Sequence, residues 1–97
     1  MMVVVDVASG EVSLQEPAVF TAFHVANPSG ATTADLAGVI GTDLPDAEDH
    51  VWVPIVLIRD LAGGDEAWES GFAGMLGYAG SKGWLSPDGQ LIQAHVE

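Results

Sequence analysis

The sequence predicts a single α+β domain over residues 1–97: a small, mostly antiparallel sheet with two to three helices packed on one face. Three features predict it. Short runs of β-branched residues recur along the chain, and one segment near the C-terminus carries apolar residues at helical spacing. Clusters of Gly, Pro, Asn and Asp punctuate the rest. A chain of 97 residues is long enough for one hydrophobic core and too short for two.

In chain order, Val3-Val4-Val5-Asp6-Val7 reads as a strand, and Ser9-Gly10 turns it into a second short alternating strand, Glu11 to Leu14. After Pro17, the stretch Ala18 to Val25 is rich in aromatic and β-branched residues, which predicts a third strand over a helical alternative. It ends at the turn cluster Asn27-Pro28-Ser29-Gly30. Thr32-Thr33-Ala34-Asp35 offers a helix N-cap with an acid in the first turn. Leu36, Val39 and Ile40 share a face behind it, and Gly41 supplies a stop. An acidic loop, Thr42 to His50, precedes the strand Val51-Trp52-Val53. Pro54 suits the first position of a helix running to Ala62 and halted by Gly63-Gly64, and a strand continued through Ile58 competes with it. Asp65 caps the best-defined element, a helix to about Lys82 with Trp68, Phe72, Met75, Leu76 and Ala79 on one stripe. Ser86-Pro87-Asp88-Gly89 turns the chain into a last strand, Gln90 to Val96. The predicted order is β-β-β-α-β-α-α-β.

Composition narrows the function. Fourteen acidic residues face only Arg59 and Lys82, a net charge of −12. That charge repels phosphate backbones and anionic membrane surfaces, so neither nucleic acid nor membrane is an expected partner. It suits a basic protein partner and divalent cations. Hydrophobic residues make up 48% of the chain and mean hydropathy is +0.32, high for a domain with so thin a core. An uncovered apolar patch and a homodimer are the expectation. Cysteine is absent, which removes thiolate chemistry and disulfides. The opening Met1-Met2-Val3-Val4-Val5-Asp6 lacks the basic and long apolar regions of a secretion signal, so a cytoplasmic location is expected. The Ala-, Gly-, Val- and Asp-rich, lysine-poor composition is that of a high-GC bacterial proteome.

No stretch carries a catalytic signature. Tyr78-Ala79-Gly80-Ser81-Lys82 matches the Tyr-x-x-x-Lys pair of short-chain dehydrogenases. Those enzymes need a longer chain and a glycine fingerprint after the first strand, absent from Val3 to Gly10, so the pair reads as coincidence. Glycine recurs every third residue from Gly71 to Gly83, costing about 0.8–1.0 kcal/mol per position in a helix interior. Close packing at a subunit contact would offset that cost, which makes Gly71, Gly74 and Gly77 interface candidates beside Trp84. His24 alternates onto the Phe20 and Ala22 face of its strand and His95 onto the Leu91 and Gln93 face. If the two strands pair, both could converge with His50 or an acid to bind a metal or shuttle a proton. Asp43, Asp46, Glu48, Asp49 and His50 form the densest oxygen-rich cluster. Of these, Asp46, Glu48, Asp49 and His50 are the candidate metal ligands, although the spacing of an EF-hand is missing.

Three functions follow. The first expectation is a non-catalytic, self-associating interaction module with no cofactor. The alternative is a ligand-binding or enzymatic domain whose pocket uses Tyr78, His24 or His95. The third is divalent-metal binding in the 43–50 loop.

Overall fold

The computed structural model describes residues 1–28, 30–41 and 49–97. Eight elements follow in the predicted order: β1 (Met2–Asp6), β2 (Glu11–Gln15), β3 (His24–Ala26), α1 (Thr33–Ile40), β4 (His50–Pro54), α2 (Ile55–Ala62), α3 (Glu66–Ser81) and β5 (Leu91–Val96). They form an α+β architecture around a five-stranded sheet of order β2-β1-β3-β5-β4.

The sheet is mixed, which corrects the expectation of a mostly antiparallel one. β1–β2 and β4–β5 run antiparallel, whereas β1–β3 and β3–β5 run parallel. The cause is the path of the chain after the first hairpin. Gln15, at the end of β2, and His24, at the start of β3, both stand opposite Met2. The intervening residues therefore pass around the N-terminal end of β1 and re-enter on its other side in the same direction.

That detour also shortens the predicted third strand. Only His24–Ala26 is extended into the sheet, and residues 18–23 are turns and irregular chain. Glu16 takes a positive φ of 51°, a conformation side chains seldom adopt, and it turns the chain out of β2. The α-amino group of Met1 then donates to Val19 O (2.9 Å) and Ala22 O (2.8 Å). Burial pushes the pKa of this amine below its ordinary value, against an opposing pull from Glu16.

Alternation sorts the strand residues onto two faces. Val3, Val5, Val25, Val51, Val53, Ile92 and Ala94 are all buried on one. None of Met2, Val4, Asp6, His24, Ala26, His50, Trp52, Gln93 and His95, on the other, is buried. The buried strand residues share one hydrophobic cluster with Leu36 and Ile40 of α1, Ile55 and Ile58 of α2, and Phe72, Met75 and Ala79 of α3.

The helix ends follow local chemistry. Thr32 accepts from Asp35 N (3.1 Å) and Asp65 Oδ1 from Trp68 N (2.9 Å), satisfying donors at the starts of α1 and α3. Gly41 and Gly63 close α1 and α2 in the left-handed conformation, φ 84° and 52°. Helix α2 prevails over a continued strand: Pro54 is the last residue of β4, opposite Leu91, and the N-cap of the helix. In α3, Phe72, Met75 and Ala79 are buried while Trp68 and Leu76 pack partly against the core. No helix among the described residues is long and apolar enough to cross a membrane.

The glycines of α3 differ in surroundings. A Cβ at Gly71 would collide with the Phe20 ring, whereas at Gly74 and Gly77 it would meet nothing within 4 Å. Gly74→Ala is therefore expected to raise stability by up to about 1 kcal/mol through helix propensity. Gly71→Ala is expected to lower it by about 1–3 kcal/mol through overpacking. Urea denaturation of both variants checks the opposite signs.

Candidate functional site

β3 is too short to flank all of β5, and the start of β5 takes another neighbour. Leu85 bridges Ile92, Gln93 N donates to Trp84 O (2.7 Å), and Ser86 N donates to Leu91 O (2.9 Å). Between this segment and the loop preceding β3 opens a cleft of about 320 Å³. Phe20 to Phe23 wall one side, and Met75, Tyr78 and Ala79 of α3 with Trp84 wall another. Ile92, Gln93 and His95 of β5 join His50 of β4 to complete it.

Each wall is held by named contacts. The 17–23 loop is tied to α3 by Trp68 Nε1 donating to Pro17 O (2.7 Å), with the Phe20 and Trp68 ring centroids 6.0 Å apart. Trp68 in turn stacks on Phe72 at 4.7 Å, so the loop rests on a ring anchored in the core. Trp84 is turned back against α3 by its own N–H donating to Ala79 O (2.9 Å), and its ring meets Tyr78 edge-on at 5.8 Å. Trp84 is 41% exposed and Tyr78 58%, so both stand at the mouth. Lys82 Nζ lies 5.6 Å from the Tyr78 ring centroid, a cation–π contact.

The three histidines of the chain occupy one rung of the sheet: His24 is opposite His95, and His95 is opposite His50. The His50 and His95 rings meet edge-on at 5.5 Å. Asp49 Oδ1 is 2.6 Å from His50 Nδ1, and Asp49 Oδ2 is 3.9 Å from His95 Nδ1. His24 does not line the cleft; its Nε2 faces Glu97 Oε2 at 3.4 Å.

No family model, curated protein or solved structure matches the chain significantly.

The sequence candidates are thus distributed unevenly. Tyr78, His95 and Trp84 meet at the cleft, together with His50, which opens β4 and is one of the four candidate metal ligands. Gly71 faces Phe20 of the same chain, and Gly74 and Gly77 face open space. Of the loop ligands, Asp49 and His50 are placed beside His95, while Asp43, Asp46 and Glu48 lie outside the described residues. The Phe20–Phe23 wall was missed because its aromatic residues read as a strand. The one available signal was Pro17, which lacks a backbone donor and weakens a strand there.

Trp84 also depends on the turn that follows it. Ser86 Oγ donates to Asp88 Oδ1 (2.6 Å) and accepts from Leu91 N (3.0 Å), while Gln90 N donates to Asp88 Oδ1 (3.0 Å). The hydrogen bond from Ser86, followed by that from Gln90, holds the Asp88 carboxyl below its ordinary pKa. Because the folded value is depressed, the stabilisation is present above the usual 3.8 and is lost as pH falls through the lower folded value. The difference in melting temperature between the native chain and Asp88→Ala is expected to be full near neutrality and to shrink below that pH. Thermal melts from neutral to strongly acidic buffer check it.

Proposed function

We propose that this chain is a small-ligand-binding domain whose cleft receives a compact molecule with an aromatic or apolar body and a polar end. The observation that supports it most is the convergence of Tyr78, Trp84 and His95 on one opening, joined by His50 from a fourth segment. Ligand sites combine apolar and aromatic walls with a few converging polar groups in volumes of roughly 300–1,000 Å³. Here Phe20, Phe23, Tyr78 and Trp84 supply the walls, and His50, Gln93 and His95 supply hydrogen-bonding groups. In this reading α3, through Met75, Tyr78 and Ala79, and the strand residues His50, Gln93 and His95 form two sides of one opening. The proposal stops at binding. Catalysis needs an activated nucleophile or a matched acid and base, and Tyr78 is met by Lys82 over its ring.

Chemical-shift mapping of the full chain with indole-, benzimidazole- and benzoate-class fragments tests this. Shifts are expected at Phe23, Tyr78, Trp84, Gln93 and His95, and Trp84→Ala is expected to weaken the best fragment about fivefold or more. Shifts centred elsewhere, or no response at millimolar fragment, would overturn it.

Self-association is a second reading, favoured by a specific patch. Gly74 and Gly77 expose bare backbone next to Tyr78 on α3, and Trp84 lies against Tyr78. A second copy or a basic protein segment can cover this surface. Two copies at −12 each repel, so a dimer is expected to strengthen with salt and a basic partner to weaken. Light scattering across protein and salt concentration reads this directly. A mass that stays monomeric throughout rejects the dimer.

A further inference from the structure

The histidine row carries more than hydrogen-bonding capacity. Asp49, His50 and His95 each offer one ligand atom, and these atoms all lie within 4.8 Å of one another. We propose that Asp49, His50 and His95 bind one divalent first-row transition cation, of the zinc class, at the edge of the cleft. The site does not require an organic ligand there, so it stands or falls separately from the cleft's own function.

The geometry suits such an ion. Zinc bonds of about 2.0–2.1 Å in a tetrahedron place neighbouring ligand atoms about 3.3–3.4 Å apart. His50 Nδ1 lies 2.6 Å from Asp49 Oδ1 and His95 Nδ1 lies 3.9 Å from Asp49 Oδ2, so both imidazoles flank the one carboxylate. The His50 and His95 ring centroids are 5.5 Å apart with their planes inclined at 75°, and both rings present Nδ1 to Asp49. Side-chain rotation that draws the three ligand atoms from within 4.8 Å of one another to the tetrahedral spacing completes the site. Backbone order supports the placement, because Val96 N donates to Asp49 O (2.8 Å) and holds Asp49 beside β5.

The donor set selects the metal. Calcium and magnesium take six or more oxygen ligands, which two imidazoles and one carboxylate do not supply. Imidazole favours zinc, copper, nickel and cobalt. Three protein ligands also leave a coordination position free, and two of the three residues, His50 and His95, line the cleft. Two further observations agree. All the histidine of the chain stands on this single rung, although it comes from residues 24, 50 and 95. The net charge of −12 draws cations to the molecule.

Zinc chloride titrated into the metal-free full chain by calorimetry, with cobalt(II) followed by its visible absorption, tests the site. One saturable site of micromolar affinity or tighter is expected, undisturbed by an equal concentration of calcium. His50→Ala and His95→Ala are each expected to weaken zinc about tenfold or more, comparable to the loss of a supporting group at known sites. Asp60→Asn, which removes one exposed acid from α2, is expected to leave affinity within about twofold, since screened surface charge contributes little. Histidine nitrogen resonances of the native chain provide a reading that needs no variant: zinc is expected to move Nδ1 of His50 and His95. Absence of saturable binding, retention of affinity in the double His50→Ala/His95→Ala variant, an equal loss in Asp60→Asn, or unmoved Nδ1 resonances would each overturn the site.

Discussion

The architecture depends on how the chain gets from β2 to β3. A hairpin alone would have left β1 as an edge, and the sheet would have grown by antiparallel additions. Instead residues 16–23 wrap the N-terminal end of β1, held there by the Met1 amine on Val19 O and Ala22 O and by Trp68 on Pro17 O. Three consequences share that cause. β3 enters parallel to β1, it is only three residues long, and the loop before it becomes a wall of the cleft. The vacancy beside the start of β5 is then filled by Trp84–Ser86, which carries a second wall into place.

Much of the fold is legible in the residues because it is decided locally. The stripe Trp68, Phe72, Met75 and Ala79 defines α3, and Thr32, Asp65, Gly41 and Gly63 mark helix ends by hydrogen bonds or φ values that depend on near neighbours. Alternation likewise reveals which strand residues share a face, so the meeting of His24 with His95 follows once their strands pair. Alternation carries no information about strand direction, since a parallel and an antiparallel neighbour present the same period. Hence the sense of β3 and β5 was not readable. The stretch Ala18 to Phe23 misleads for a related reason. Its aromatic residues are those of a strand, but Phe20 finds its partner in the space left by Gly71, remote in sequence. The metal candidates were placed by local density in the acidic loop, and the ligand that completes a compact set, His95, comes from the last strand.

Charge is distributed so that the few cations are engaged with aromatic rings. Arg59 bonds Glu69 (3.2 Å) and also lies 5.4 Å from the Phe72 ring centroid, while Lys82 covers Tyr78. The Arg59–Glu69 ion pair is half-exposed, so its contribution to stability is small. The effect of these contacts is on the surface potential: little positive charge remains to offset the acid. The histidine row, with Asp49 and Glu97 beside it, therefore stands in a chain of net charge −12, a setting that favours cations and basic groups over anions.

The position of β5 has a consequence for how the molecule assembles in time. This strand, the last in the chain, lies between β3 and β4, joining 24 to 95 and 50 to 95 across the sheet. Until residues 91–96 are available, β2-β1-β3 and β4 are two fragments with facing unpaired edges. Such non-local closure slows folding relative to helical contacts, so the helices and first hairpin form early and the imidazole row only once β5 inserts between its neighbours.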